Sequence, residues 1–144
     1  NAPADMVVTL HACDTATDYA LHNAVCRGAR IILSVPSCQH ELNGQIATDK
    51  LKLITRYGII KERFAALMTD AIRANLLESR GYKAQVLEFV DLSHTPKNLL
   101  IRAIKKRPAL DNAGRIALDE AKALMEEFSL EPTLYSLLYP HSAD

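Results

Sequence analysis

Short apolar runs and helical stripes alternate along this chain. Residues 7–10 (Val-Val-Thr-Leu) are β-formers bounded by Asp5 and the polar pair Cys13-Asp14, which predicts a strand. Asp14 or Thr15 can cap a following helix, in which Ala16, Tyr19, Ala20, Ala24 and Val25 recur near helical spacing until Gly28. Residues 31–35 form a continuous apolar run ended by Pro36, the pattern of a strand buried on both faces. A helix-length segment between two such strands predicts parallel neighbours joined by a crossover.

A polar loop follows over 37–45, then a helix over 46–57 closed by Gly58. The strongest stripe is Phe64, Leu67, Met68, Ala71, Ile72 and Leu76, which predicts a helix over 61–79 closed by Arg80-Gly81. Residues 82–90 alternate as a half-buried strand that includes Val86 and Phe89; 91–98 is a turn around Pro96, and 99–104 is another strand. Strand, short turn and strand predict an antiparallel hairpin. Ile116, Leu118, Ala121, Leu124, Met125 and Phe128 mark a further helix, and Leu134, Leu137 and Leu138 a short docked one. No internal repeat interrupts this order.

The fold class is therefore α/β, with 144 residues sufficient for one domain spanning 1–144. Open sheets of this class bind ligands beyond the carboxyl ends of their strands. His11, Cys13, Asp14, Cys38, His40 and Glu41 all fall on that rim. Seventeen basic and 17 acidic residues give zero formal charge, so composition demands neither nucleic acid nor an acidic membrane. The run Lys105-Lys106-Arg107 reads as a solvated strand end. Three cysteines, an odd number without framework spacing, suit thiols in the cytoplasm. No apolar stretch reaches membrane-spanning length. The start Asn-Ala-Pro-Ala-Asp has no initiator Met, so the chain is expected to be part of a longer protein.

Three segments together resemble one family: Leu-His-Ala-Cys-Asp-Thr-Ala-Thr-Asp at 10–18, Val-Pro-Ser-Cys-Gln-His-Glu-Leu at 35–42, and Glu-Phe-Val-Asp-Leu-Ser-His-Thr-Pro-Lys-Asn at 88–98. They look like the C-terminal, catalytic half of a class I S-adenosylmethionine-dependent methyltransferase, in a bacterial branch of a methyltransferase-like group with a Cys-Cys-Xaa-His loop. The helix Arg63-Phe64-Ala65-Ala66-Leu67 through Thr69-Asp70-Ala71-Ile72-Arg73 fits the same branch, and the resemblance covers roughly residues 6–105. It implies a partial Rossmann-like sheet, strands four to seven of the family, the last one antiparallel. It also implies an enzyme of the transferase class whose cofactor is S-adenosylmethionine. RNA enters as a candidate methyl acceptor through the wider group. Two departures stand out: Ser37 replaces the first cysteine of the loop, and no Gly-rich cofactor loop or ribose-binding carboxylate precedes the first strand. The cofactor-binding N-terminal half is thus expected to be absent, leaving the chain alone inactive and a poor binder of the cofactor. An exposed first strand would then favour a homo-oligomer.

Each candidate has a plainer alternative. The resemblance makes Asp14 catalytic and puts His11 and Ala12 against the cofactor; otherwise Asp14 is a helix cap and His11 a strand-end residue. Cys38 and His40 are catalytic candidates in a loop over the methyl group, or members of an ordinary polar loop. Cys13, Cys38, His40 and His11 could instead form a tetrahedral zinc set, although Cys-Xaa-His is not the spacing of a zinc knuckle, and no bound metal is expected. His94, Lys97 and Asn98 are acceptor-binding candidates, or plain turn residues beside Pro96. Asp70 and Arg73 make a surface ion pair by default, or brace the Cys38 loop if buried. Cys26 is expected near the core; His22 and His141 are expected to face solvent. The alternative functions are a non-catalytic binding or oligomerisation module and a zinc-bound structural domain.

Overall fold

The computed structural model describes residues 3–89 and 98–141, with the backbone alone at 89 and 98. Strand β1 (Met6–Leu10) leads into helix α1 (Thr15–Cys26), which returns the chain to β2 (Ile31–Val35). The two strands pair in parallel, from Met6 opposite Ile31 to Leu10 opposite Val35. A 3-10 turn (Leu42–Gly44) and a short helix α2 (Lys52–Arg56) precede the long helix α3 (Gly58–Ser79). Strands β3 (Tyr82–Phe89) and β4 (Asn98–Lys105) pair antiparallel, and helices α4 (Asn112–Phe128) and α5 (Thr133–Leu138) follow.

The sheet order is β1-β2-β4-β3, with β4 antiparallel to both of its neighbours. β3 therefore points the same way as β1 and β2, and the carboxyl ends of all three lie toward one rim. Ile101 lies opposite both Ser34 and Val86. The β3–β4 hairpin continues past that level to Phe89 opposite Asn98, about 10 Å further at strand rise.

The helix expected over 46–57 is not one unit. Leu51 has φ 58, which breaks helical continuity, and only Lys52–Arg56 is helical. Gly58 opens α3 rather than closing a helix, because Tyr57 before it is extended. The inward face of α3 also differs from the predicted stripe. Leu67 is 58% exposed and Ala71 faces outward, while Ala65, Thr69, Asp70, Arg73 and Leu77 are buried beside Met68, Ile72 and Leu76. Helix α1 is turned likewise: Thr17, Asp18, Leu21 and Ala24 face inward and Tyr19 outward. One ion-pair cluster between α1 and α3, described below, sets both rotations.

Burial on the two sheet faces is unequal. Ile32, Ser34, Ile101 and Ala103 lie under a core that includes Leu21, Ile72, Leu76, Leu77, Met125, Phe128 and Leu134. The buried Ser34 hydroxyl accepts from Thr9 Oγ1 at 2.7 Å. On the other face, Met6, Val8 and Leu10 of β1 are exposed and Ile31 and Leu33 only half-buried. Burial of β2 on both faces, expected from its apolar run, is found only in part: Val35 is buried on the face of half-buried Ile31 and Leu33, while the α1 and α3 residues of the core lie over the other face.

Gly81 makes the tight passage from α3 into β3, with φ 91. A Cβ there would overlap the Arg107 carbonyl. Gly81→Ala should therefore destabilise the chain by about 2–4 kcal/mol. Gly44→Ala, with open space around it, should fall within about 0.5 kcal/mol of the parent. Urea denaturation of both variants checks the contrast.

Candidate functional site at the strand rim

Two chain crossings build the rim. After β1, His11 N donates to Val35 O at 2.9 Å, and after a short gap Asp14 N donates to Cys38 O at 2.8 Å. Cys13 and Cys38 form an isolated parallel bridge, so the two loops stay paired beyond their strands. His11 has φ 55 and Asp14 has φ 48 with ψ −123. Non-glycine residues in such conformations cost about 1–3 kcal/mol each and persist only where their surroundings over-determine them.

Here the surroundings do so. Asp14 Oδ1 accepts from His40 N at 3.1 Å and Glu41 N at 3.0 Å, fastening the second loop to the first. Thr17 Oγ1 donates to Ala12 O at 2.9 Å. Arg73, reaching up from α3, donates Nη2 to Asp14 O at 2.9 Å. The same guanidinium grips Asp18 through Nε at 2.8 Å and Nη2 at 3.1 Å, and Asp70 through Nη1 at 3.1 Å. Gln39 Nε2 in turn donates to Asp70 Oδ2 at 3.0 Å. Arg73, Asp18 and Asp70 are 1%, 2% and 3% exposed, so this is a buried cluster and not the surface ion pair of the default reading. It braces the Cys38 loop through Gln39.

The electrostatics follow from one cation facing two carboxylates. Burial disfavours the Arg73 charge, but the hydrogen bonds and charge of Asp18, with those of Asp70, outweigh it and raise its pKa. Asp70 is shifted upward chiefly by desolvation, which exceeds the lowering by Arg73 and Gln39; the Asp18 charge adds to the rise.

Glu41 ends the second loop. Its carboxylate accepts from Thr133 N at 3.1 and 3.2 Å and from Thr133 Oγ1 at 2.5 Å, so it satisfies the start of α5. The His11 and His40 residues are exposed and Cys38 is half-buried, so imidazole and thiol groups line one rim. Asp14 neither caps α1 with its side chain nor stands free; it clamps the loop that carries His40. Ala12 lies half-buried between the two strained residues.

Other expected positions fall differently. His94 and Lys97 lie outside the described residues, and of Asn98 the backbone alone is seen, at the rim end of β4. Among the described residues no three His, Cys, Asp or Glu side chains form a metal-holding group, so Cys13, Cys38, His40 and His11 do not make the tetrahedral alternative. Cys26 is exposed rather than near the core, because α1 is turned to bury Asp18 and Leu21; its Sγ lies 3.4 Å from His22 Nε2. His22 is half-buried, while His141 faces solvent as expected. A groove of about 990 Å³ elsewhere, lined in part by Lys122, Met125, Tyr135 and His141, contains no rim candidate.

Asp18, Gln39 and Thr17 escaped the sequence reading as rim supports. A stripe centred on Leu21, with Thr17 and Ala24 one turn either side, would have placed Asp18 inside. Its partner Arg73 is 55 positions away, beyond any local pattern.

Residues 1–45 match the model of a family described as a methyltransferase domain. That match spans β1, α1, β2 and the loops that form the rim, and it supports methyl transfer as the general chemistry. No curated protein and no solved structure matches the chain.

Replacing Arg73 by leucine leaves Asp18 and Asp70 buried without a cation. Arg73→Leu should lower stability by about 3–5 kcal/mol. The shift in denaturant midpoint measures it, and a loss below about 1 kcal/mol would show the cluster to be dispensable.

Proposed function

We propose that the rim is the catalytic face of a methyltransferase that uses S-adenosylmethionine, and that the strands correspond to the second half of its sheet. The observation that carries this is the coincidence of the methyltransferase-domain match with two strained residues, His11 and Asp14, braced from α3. His11 and Ala12, at the end of β1, are read as facing the methionine end of the cofactor. Asp14 is the positioning carboxylate, since its oxygen holds the backbone of His40 and Glu41. His40 is the group suited to take the acceptor's proton, and Cys38 stands beside it as a second catalytic candidate. His94, Lys97 and Asn98 are read as acceptor contacts, with RNA the acceptor class to test first.

When bound, S-adenosylmethionine would supply a methyl group on a sulfonium; transfer breaks the sulfur–carbon bond, leaves its electron pair on sulfur and joins the carbon to the acceptor. The residues of this chain fit only part of such a cofactor. The five glycines stand apart in sequence and make no Gly-rich loop. The rim supplies the imidazole of His11 and backbone at Ala12, but no carboxylate assigned to a ribose. Binding by this chain alone is accordingly expected to be weak. Titration of isotope-labelled chain with S-adenosylmethionine should shift the amide signals of His11, Ala12, Cys38 and His40 at millimolar cofactor. Micromolar affinity, about −8 kcal/mol, or shifts confined to other surfaces would overturn the assignment.

The uncovered sheet face favours a second element of the reading, a homo-oligomer built on β1. Met6, Val8 and Leu10 present an apolar row at an edge strand whose outer backbone groups have no sheet partner among the described residues. Two such edges can meet about a two-fold axis. Free thiols and the lack, among the described residues, of any helix long and apolar enough to cross a membrane fit the cytoplasmic setting proposed. Sedimentation should show dimers that Val8→Lys converts to monomers; a parent chain monomeric at its solubility limit would refute the β1 interface.

A further inference from the structure

The balanced net charge conceals an uneven distribution. At the end of the sheet opposite the rim, four chain segments bring basic residues together. Lys105 N donates to Arg30 O at 2.8 Å, which ties the end of β4 to the start of β2. Lys106 N and Arg107 N both donate to Gly81 O at 3.0 Å, which sets them beside Arg80. Arg27, at the end of α1, joins through Ala4, whose N donates to Arg27 O and whose carbonyl accepts from Arg30 N. The run at 105–107, read from sequence as a solvated strand end, is therefore one part of a larger basic surface.

Most of this charge is unneutralised. Arg107 pairs with Glu78 at 3.0 Å and Asp111 at 3.1 Å. Among the described residues, Arg27, Arg30, Arg80, Lys105 and Lys106 make no ion pair. The Lys105 ammonium donates to the Arg80 carbonyl and lies 5.0 Å from the centre of the Tyr82 ring. Its pKa is lowered by desolvation first, and then by the nearby Arg80 and Arg107. A cleft of about 410 Å³ opens among these residues, lined by Arg30, Lys105 and Lys106, with Asp5 its one acidic wall residue. Like charges crowded at a cleft repel one another, and an anion placed there relieves the repulsion.

We propose that this end of the sheet is a docking surface for nucleic acid, held through its phosphate backbone without base selectivity. Guanidinium groups suit phosphate because their planar donors can engage two oxygens at once. A membrane surface fits less well. Lipid association needs apolar side chains to insert, and Met6 is the one large exposed apolar side chain in the cleft wall. The surface stands apart from the rim, so the proposal does not rest on methyl transfer and is testable without cofactor.

Fluorescence polarisation with a mixed-sequence single-stranded RNA, at low salt, should show binding that weakens steeply as salt rises. Arg30→Glu and Lys106→Glu, each alone, should weaken binding at least about tenfold and lower the salt slope by about 0.7 or more, the share of one phosphate contact. Lys122→Glu, at an exposed position of α4, changes net charge equally and should stay within about twofold of the parent. Circular dichroism melts confirm that each variant is folded. Absent binding at low salt, equal loss in Lys122→Glu, or preference for phosphatidylserine vesicles over RNA would overturn the proposal.

Discussion

A single buried guanidinium holds the rim of this sheet in place. Arg73 spends its donors on Asp18, Asp70 and the Asp14 carbonyl, and so joins α1, α3 and the turn after β1. Removing charges from water is costly, and a buried ion pair seldom adds net stability over an apolar substitute. What it adds is direction. A guanidinium bonded to three groups fixes where each lies, whereas a leucine in its place would tolerate several packings. Burial of the cluster appears in the upward shift of Asp70, chiefly a desolvation effect, and Gln39 is the group that meets that carboxylate from the loop.

The rim inherits its geometry from this anchor. His11 and Asp14 hold backbone conformations that most side chains avoid, and they do so beside the strand ends where α/β sheets carry ligands. The anchoring is layered. Arg73 fixes the Asp14 carbonyl, the Asp14 carboxylate fixes the backbone of residues 40 and 41, and the Glu41 carboxylate reaches on to α5. The imidazole of His40 is thus carried by a backbone fixed from outside its own loop. In the function proposed above, that arrangement would place a proton acceptor while leaving it open to a substrate.

Much of the architecture was legible in the residues, because local periodicity reports local structure. The β-rich runs at 7–10 and 31–35, the Gly28 close of α1 and the antiparallel pairing of β3 with β4 are all announced by local pattern. The failures share a physical origin. Hydrophobicity places Leu67 inward, yet Arg73 and Asp70 take the inner face, where Arg73 meets Asp18 of α1 and Asp70 meets Gln39 of the loop after β2. Residues 46–57 looked helical, but a left-handed Leu51 breaks the segment, and nothing in the composition marks that position. The rim positions His11, Asp14, Cys38 and His40 could be placed from strand ends alone. The clamp between them could not, since it depends on backbone groups whose partners are set by the tertiary fold.

The two edges of the sheet are not equivalent. At the β3 edge, Lys83 and Glu88 are exposed, and the Ala84 amide is already bonded to the Glu78 carboxylate at 2.7 Å. Charges and a borrowed acceptor make that edge a poor template for another strand. Among the described residues the β1 edge has no such guard. In the dimer proposed above, a second copy would occupy this one open side, and the pair would present only guarded edges outward. Head-to-tail growth needs two complementary faces, so this asymmetry favours a closed pair over a fibre.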